Sequence, residues 1–253
     1  MLRFSPANTK LKRMKQNDGI ARFLTGRRKI YSFDLLSGHS CPFAQDCLSK
    51  VIIDNGKRKI QDGPHTKFRC FSASQEVLFP VLYNLRNGNF TILRQLSFHE
   101  MVKLIESSLP PDLGVGRLHV GGDFFNPAYF YAWVNVARNH SDRLFYAYTK
   151  SLSYWLKHRS EIPDNLVLTA SYGGRLDNLI SLHGLRYSKV VYSEPQAETL
   201  GLEIDHDDSH AADPQKRDQS FALLIHGTQP KGSKASQALQ VLRKNEIQHS
   251  YSR

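Results

Sequence analysis

Short apolar segments alternate with amphipathic segments along most of the chain, and this alternation constrains the fold more than any other feature. The apolar segments are rich in valine, isoleucine, leucine and aromatic residues. They predict β-strands at residues 29–34, 117–121, 143–149, 165–171, 188–193 and 221–226. Helical periodicity predicts helices at residues 74–85, 97–108, 127–139, 152–159, 176–183 and 234–245. Because strand–helix alternation produces parallel strands with right-handed crossovers, the sequence predicts an α/β sheet or barrel.

Local signals predict three further features. Asn55-Gly56 lies between two short strand-like runs and predicts a β-hairpin. Asn126-Pro127 predicts a helix start, with asparagine as the N-cap and proline at the first helical position. The segment 203–218 is polar and irregular, so we expect a surface loop there.

Length and composition bound the organisation of the chain. It has 253 residues, of which 40% are hydrophobic, enough for one sizeable core. We expect a basic N-terminal arm at residues 1–28, a single domain at 29–245 and a tail at 246–253. No apolar run has the length of a bilayer span, and the first 30 residues lack the apolar centre of a signal peptide. A cytoplasmic protein without a membrane partner is therefore predicted.

Positive charge is concentrated in the N-terminal arm. The whole chain has a net charge of +11, and residues 1–30 hold nine lysines and arginines against one aspartate, a net charge of +8. Such an arm suits contacts with the phosphates of a nucleic acid, and a solvated, partly disordered tail is the alternative interpretation. The candidate nucleic-acid-binding residues are Lys10, Lys12, Arg13, Lys15, Arg27 and Arg28.

The only three cysteines follow the first predicted strand. Cys41, Cys47 and Cys70 are separated by five and by 22 residues, and the hairpin between the last two would return the chain to its starting point. An odd number of cysteines fits a disulfide framework poorly. Three thiolates predict a [4Fe–4S] cluster with one iron left open. A zinc site completed by His39 or His65, or unligated thiols, remain alternatives.

Polar residues follow the predicted strands, where parallel α/β folds place their functional loops. The second strand ends in Gly121-Gly122-Asp123, and His226 ends the sixth and is expected to face the site. The hydroxyls and amine at the ends of the remaining strands belong to Thr149, Lys150, Ser171 and Ser193.

In this arrangement the chain resembles the radical S-adenosylmethionine superfamily. That family has a partial (β/α)6 barrel, three cysteines after the first strand that hold a [4Fe–4S] cluster, and a Gly-Gly-Glu stretch that binds the methionine amino group. The resemblance implies the same barrel here, with a hairpin inserted in the cysteine loop, and places Gly121, Gly122 and Asp123 at the cofactor amino group. It further implies that Thr149, Lys150, Ser171 and Ser193 meet the cofactor carboxylate and ribose.

This chain departs from the superfamily pattern at two points. The usual cysteine signature has three and two intervening residues, whereas here there are five and 22. Asp123 stands where glutamate is typical, which shortens the carboxylate arm by about one C–C bond, roughly 1.5 Å.

A closer resemblance is to a phage and bacterial family known as gene product eighty-eight. The motifs that carry it are Leu118-His119-Val120-Gly121-Gly122-Asp123, Phe145-Tyr146-Ala147-Tyr148-Thr149-Lys150 and His226-Gly227-Thr228-Gln229-Pro230. The similarity extends from about residue 31 to residue 242. It implies a phage-linked protein of the host cytoplasm and leaves the reaction open.

Two hypotheses follow from the sequence. The first is an enzyme similar to radical S-adenosylmethionine enzymes, which cleaves that cofactor reductively, requires an electron donor, and acts on a substrate for which the basic arm suggests a nucleic acid or nucleotide. The second is a phage nucleic-acid-binding protein in which the iron–sulfur or zinc site is purely structural. Nucleophilic hydrolases and P-loop enzymes are disfavoured, because the chain has neither a Gly-x-Ser-x-Gly elbow nor a phosphate loop.

Overall fold

A computed structural model describes residues 1–245, apart from the side chains of residues 9 and 10. The predicted tail at 246–253 lies outside the described residues. The strands are β1 (Phe4–Pro6), β2 (Lys29–Phe33), β3 (Ser49–Asp54), β4 (Lys57–Asp62), β5 (Leu113–Leu118), β6 (Leu144–Thr149), β7 (Leu166–Ser171), β8 (Tyr187–Val191), β9 (Glu203–Ile204) and β10 (Phe221–Leu224). The α-helices are α1 (Thr9–Arg13), α2 (Asp18–Ala21), α3 (Phe71–Leu78), α4 (Pro80–Leu93), α5 (Phe98–Ser108), α6 (Pro127–Asn139), α7 (Leu152–Lys157), α8 (Asn178–Leu182), α9 (Glu194–Thr199), α10 (Ser209–Ala212) and α11 (Lys234–Lys244).

Eight strands form one mostly parallel sheet in the order β1-β2-β5-β6-β7-β8-β10-β9. Only β1, at one edge, pairs antiparallel with its neighbour in this sheet. The six predicted strands correspond to β2, β5, β6, β7, β8 and β10, which lie side by side in chain order. The predicted α/β class with a mostly parallel sheet is therefore confirmed.

Side chains alternate between the two faces of the sheet, as strand geometry requires. On one face, Phe33 and Phe145 pack against Trp133 of α6 and Ile105 of α5. On the opposite face, the strand residues pack against the N-terminal segment and α10. The sheet is thus buried on both sides, which explains its continuous apolar runs.

Residues 1–28 are part of this core. Leu11, Met14 and Ile20 are buried among strand residues of the sheet, and Asn8 and Asn17 cap α1 and α2 with their side chains. The alternative interpretation of this segment as a solvated, partly disordered tail is therefore wrong.

The prediction of a surface loop at 203–218 was wrong. Asp205 and Asp208 are fully buried, and α10 packs on the sheet. Arg117 of β5 forms an ion pair with Asp208. These two residues are 91 positions apart in the sequence. A polar segment is buried here because distant arginines satisfy its polar groups.

Two predicted boundaries also changed. The predicted helix 74–85 is two helices, because Phe79 is extended before Pro80, which occupies the first turn of α4. The second predicted strand, β5, begins at Leu113, four residues before the predicted start. Two glycines interrupt its apolar run, and this weakens the strand signal in the sequence. By contrast, the hairpin is confirmed: β3 pairs antiparallel with β4, and Asn55 and Gly56 both have positive φ.

Candidate functional site

The three cysteines line one cavity of about 180 Å³. Cys41 and Cys47 lie in the loop between β2 and β3, and Cys70 immediately precedes α3. The hairpin β3–β4 returns the chain as predicted, and the Cys70 N–H donates to Ser49 Oγ at 3.2 Å. The cavity lies at the carboxyl ends of the parallel strands, since Thr149 and Ser171 also line it.

Backbone N–H groups point at two of the sulfurs. The Gly38 N–H donates to Cys41 Sγ at 3.4 Å, and the N–H groups of Ser72 and Ala73 at the start of α3 lower the pKa of Cys70. Burial has the larger effect: it raises the pKa of Cys41 well above its usual range and that of Cys70 to about 11. The two thiols are therefore protonated at neutral pH unless a cation displaces the protons.

Thiols are ligands of both iron–sulfur clusters and zinc, and backbone N–H groups lie beside two of the three. Within residues 1–245, however, no three His, Cys, Asp or Glu side chains are grouped as a ready-made site for one metal ion. His39 and His65, the candidate zinc ligands, are exposed and do not line the cavity.

The Gly-Gly-Asp loop packs directly on the cysteine loop. The Gly121 carbonyl accepts a hydrogen bond from the Leu35 N–H at 2.9 Å, and Gly121 does not line the cavity. Gly122 does line it, with φ of 91°, and a Cβ there would lie 2.6 Å from Ser40 Oγ. The close approach of the two loops therefore accounts for Gly122, whereas a Cβ at Gly121 would lie 2.8 Å from the Arg86 guanidinium of α4.

Asp34 and a buried ion pair support both loops. Asp34 Oδ1 accepts hydrogen bonds from the N–H groups of Val120 at 2.6 Å and Gly121 at 3.3 Å. Glu76 accepts from the Ser37 N–H and hydroxyl, and Arg86 Nη1 lies 3.0 Å from Glu76 Oε1. These carboxylates thereby hold the cysteine loop and the Gly-Gly-Asp loop against each other.

Asp123 lines the cavity and is fully hydrogen-bonded. Its carboxylate accepts from Thr149 Oγ1 at 2.6 Å, the Lys150 N–H at 2.8 Å and the Phe124 N–H at 2.7 Å. Burial outweighs these bonds and raises the pKa of Asp123 to about 6. The Thr149 hydroxyl is therefore already hydrogen-bonded to Asp123.

The remaining predicted residues divide into two groups. Lys150 Nζ donates to Ser171 Oγ at 2.7 Å, and both residues line the cavity with His226. The His226 ring packs on Phe71, with centroids 4.9 Å apart. Ser193 does not line the cavity; its hydroxyl caps α9 by accepting from the Gln196 N–H at 3.3 Å.

His119 is a cavity residue whose conformation the sequence did not reveal. It is 4% exposed, its φ is 68°, and its Nε2 lies 2.8 Å from the Tyr129 hydroxyl. Burial lowers the pKa of His119 to about 3, so the ring is neutral. Left-handed backbone is uncommon outside glycine, although histidine adopts it more readily than most residues, and residues in such conformations cluster at functional sites. Within the described residues its Nδ1 has no hydrogen-bond partner.

The basic residues of the N-terminal segment lie elsewhere. Lys12, Arg13, Lys15 and Arg27 are exposed, and none of them lines the cavity. Arg28 is half-buried and forms an ion pair with Asp142. The side chain of Lys10 lies outside the described residues.

We predict that the Asp123 carboxyl makes stability rise as pH falls. A carboxyl whose pKa is raised by folding binds more protons in the folded state than in the unfolded state between about pH 3.8 and 6. Its contribution to the free energy of unfolding is therefore greatest below this pH range and is lost as pH rises through about 6. The shift corresponds to about 3 kcal/mol. Urea unfolding from pH 7 to pH 4 should show the wild type gaining about 2 kcal/mol or more relative to Asp123→Asn.

The exposed Glu198→Gln on α9 is the matched control and should follow the wild type across this range. Parallel curves for the wild type and Asp123→Asn would contradict the prediction.

Comparison with known proteins places the chain in a phage context. The family model described as Gene product 88 matches residues 2–244. The Gene 88 protein of Mycobacterium phage L5 is 31% identical over 134 residues, which is 52% of this chain and 51% of that protein. The Gene 88 protein of Mycobacterium phage D29 is 32% identical over 116 residues, covering 45% and 43%. These alignments span about half of each relative, and no solved structure matches.

No helix within residues 1–245 is long and apolar enough to cross a membrane.

Proposed function

The chain belongs to the Gene product 88 family, and for this member we propose that Cys41, Cys47 and Cys70 bind a [4Fe–4S] cluster in an enzyme similar to radical S-adenosylmethionine enzymes. The observation that carries the proposal is that all three cysteines line one cavity at the carboxyl ends of parallel strands. The chain-order arrangement of the six parallel strands supports the partial (β/α)6 barrel that such an enzyme requires.

A cluster is preferred to zinc because the cysteines and the Gly-Gly-Asp loop follow two parallel strands, β2 and β5, in the order found in the radical S-adenosylmethionine superfamily. Zinc would need a fourth ligand beside the three cysteines. The predicted histidine ligands of zinc are exposed, which weakens that alternative further.

The chain's own residues would bind and orient the cofactor. A [4Fe–4S] cluster together with S-adenosylmethionine supplies reductive cleavage of a carbon–sulfur bond, given an electron donor. Asp123 and Lys150 line the cavity, and the amino and carboxylate groups of the cofactor would replace some of the hydrogen bonds that these side chains make with Thr149 and Ser171. The apolar rings of Phe68 and Phe71 in the cavity wall help to exclude water.

The proposed cluster determines the metal content and the absorbance expected of the protein. Anaerobically purified or reconstituted protein should contain about four irons and four sulfides per chain and absorb broadly in the visible range. Cys41→Ala, Cys47→Ala and Cys70→Ala should each lose most of the iron, because each removes a ligand from a separate iron. His39→Ala, in the β2–β3 loop with Cys41 and Cys47, and His65→Ala, in the β4–α3 connection with Cys70, are matched controls and should keep the iron.

Zinc in place of iron, or full iron content in Cys70→Ala, would overturn the cluster assignment. A reduced, cluster-loaded protein incubated with S-adenosylmethionine should release 5′-deoxyadenosine. Cluster without this product would leave a structural iron–sulfur site and overturn the enzyme assignment. Ser193 follows strand β8 but does not line the cavity, so Ser193→Ala should retain the activity if only hydroxyls in the cavity wall contact the cofactor.

A nucleic-acid-binding function is the second candidate, supported by the exposure of several cations in the N-terminal segment. Each phosphate that they neutralise would release counterions, so affinity should fall steeply with salt. We predict that exchanging Lys12, Arg13, Lys15 and Arg27 for glutamine weakens DNA or RNA binding and lowers the salt slope by about 3 to 4. Fluorescence anisotropy with labelled DNA or RNA between 50 and 200 mM salt measures both the affinity and its salt dependence.

The four residues are exposed, so the quadruple variant should unfold at the wild-type temperature. Exchanging Lys103, Lys157, Arg94 and Arg243, which are exposed elsewhere, provides a control of equal charge. Equal losses in the two quadruple variants would assign the binding to net charge and overturn a specific role for the N-terminal segment.

A further inference from the structure

A second cavity, of about 200 Å³, lies at the other end of the sheet from the cysteines. Its wall includes the first residues of β7 and the residues directly before β8, whereas the cysteine cavity is lined by the last residue of β7. Three arginines line it, Arg159, Arg186 and Arg217, together with a single carboxylate, Asp218. The cavity therefore holds a formal excess of two positive charges.

Arg186 is the unusual member of this group, because its buried charge has no carboxylate in ion-pair contact. It is 6% exposed, and Asp218 and Asp205 act on its charge only from beyond ion-pair distance. The other two arginines buried to this extent are both paired: Arg86 lies beside Glu76, and Arg117 beside Asp208. An isolated buried charge is costly unless a partner of opposite charge is present.

The hydrogen bonds of Arg186 explain its position but include no charged partner. Its Nη atoms donate to the carbonyls of Leu168, His210, Ala211 and Lys216 and to Thr169 Oγ1. These acceptors are all neutral. Its Nε has no partner among the described residues. Arg186 thus brings a buried cation with one unpaired N–H to the wall of a cavity that two other guanidinium groups share.

The two other arginines are only weakly paired. Arg159 Nη1 donates to the His183 carbonyl at 3.4 Å. Arg217 Nη1 lies 3.8 Å from the fully exposed Asp164, a surface pair of small energetic value. Arg217 Nη2 and Nε bond to the backbone carbonyls of Asp164 and Pro214. The Arg159 guanidinium can therefore turn toward a ligand at little cost, whereas that of Arg217 would exchange backbone hydrogen bonds for bonds to the ligand.

From these contacts we infer that the arginine cavity binds a phosphate group, either as free phosphate or on a small monoester. A phosphate monoester carries about −1.5 to −2 charges at neutral pH, which matches the excess of two positive charges. Guanidinium groups match phosphate geometry and are the preferred partners of buried phosphates. Trp155 and Leu185 form an apolar part of the wall that would cover the organic portion of a monoester.

Isothermal titration calorimetry at low ionic strength tests this inference, with phosphate, AMP and adenosine as titrants and chloride as the ionic-strength control. We expect phosphate to bind the wild type and to weaken about tenfold or more in Arg159→Gln and Arg217→Gln, since each loses a charge-assisted hydrogen bond. Arg243→Gln on α11, exposed and outside the cavity, should bind as the wild type does. Both cavity variants alter partly exposed residues and are expected to fold.

The titrants distinguish the source of the phosphate. Tighter binding of AMP than of phosphate, with no binding of adenosine, would identify an organic monoester as the ligand. Absence of heat beyond the chloride control with both phosphate and AMP, or equal affinities in the wild type and both cavity variants, would overturn the inference. Neither result bears on the iron content of the cysteine site, which is measured separately.

Discussion

Replacing Arg86 by methionine is expected to lower the free energy of unfolding by about 3 to 5 kcal/mol. Arg86 is 1% exposed, and its guanidinium lies 3.0 Å from Glu76 and 3.9 Å from Asp34, both fully buried carboxylates. Methionine fills similar apolar volume but leaves these carboxylates without their cation. Urea unfolding at pH 7, read by far-ultraviolet circular dichroism, measures the loss.

The pH dependence of this loss separates charge from packing. Burial already raises the pKa of Glu76, and the charge of Arg86 opposes that rise. Without Arg86 the pKa of Glu76 rises further, so the carboxyl takes up a proton as pH falls and the penalty shrinks. The loss in Arg86→Met should therefore be larger at pH 7 than at pH 5. A loss that is constant with pH would indicate packing alone.

Two further variants control for this interpretation. Combining Arg86→Met with Glu76→Gln removes the uncompensated charge and should recover part of the lost stability. Arg94→Met alters an exposed arginine at the end of the same helix and should cost about 0.5 kcal/mol or less. A loss below about 1 kcal/mol in Arg86→Met would contradict the role assigned to the buried pair.

The parallel sheet could be predicted from the sequence because its strands are buried on both faces. Their central parts, such as residues 144–148 and 166–168, are continuously apolar, and such runs identify buried strands without knowledge of their neighbours. The return of Cys70 toward Cys41 was predictable for a similarly local reason, since Asn55-Gly56 specifies a tight hairpin turn.

The errors arise where distant residues decide the outcome. The acidic segment around Asp205 and Asp208 is buried because Arg117 and Arg186 reach it from the sheet, and no local pattern encodes that pairing. Ser193 followed by Glu194-Pro195 is a local signal for a helix cap, and weighing that signal would have removed Ser193 from the cofactor residues.

Within the site, the sequence could indicate which residue types meet but not how they are held. Gly121 and Gly122 suggested close backbone approach, and the structure shows that the approaching groups belong to Arg86, Leu35 and Ser40. The buried network of Asp34, Glu76 and Arg86 joins three separate parts of the chain, so its members look like ordinary charged residues in the sequence. Only the fold brings them under the cysteine loop.

Replacing Gly122 by alanine is the second change with a large expected effect. Its φ of 91° is strained for any residue with a Cβ, and the new methyl group would lie 2.6 Å from Ser40 Oγ and 2.7 Å from Leu35 Cβ. Neither neighbour moves easily, because Ser40 Oγ donates to the Leu36 carbonyl at 2.8 Å and both residues are buried. We expect the backbone strain and the clash together to destabilise the protein by about 3 kcal/mol or more.

The displacement should reach the cysteine site, since Ser40 directly precedes Cys41. If the cluster assignment is correct, Gly122→Ala should bind less iron after reconstitution than the wild type under conditions where both remain folded. Gly232→Ala separates strain from clash: Gly232 has φ of 79°, but no atom lies within 4 Å of an added Cβ. That variant should lose about 1 to 2 kcal/mol through strain alone and keep its iron.

Comparison of the two glycine variants thus tests whether the Gly-Gly-Asp loop positions the cysteine loop. Equal losses of stability in Gly122→Ala and Gly232→Ala would show that the backbone conformation, and not the contact with Ser40, accounts for the effect. Normal iron binding in a destabilised but folded Gly122→Ala would mean that the two loops are energetically independent. A larger loss in Gly122→Ala, accompanied by reduced iron, would establish that the packing of Gly122 on Ser40 holds Cys41 in its binding position.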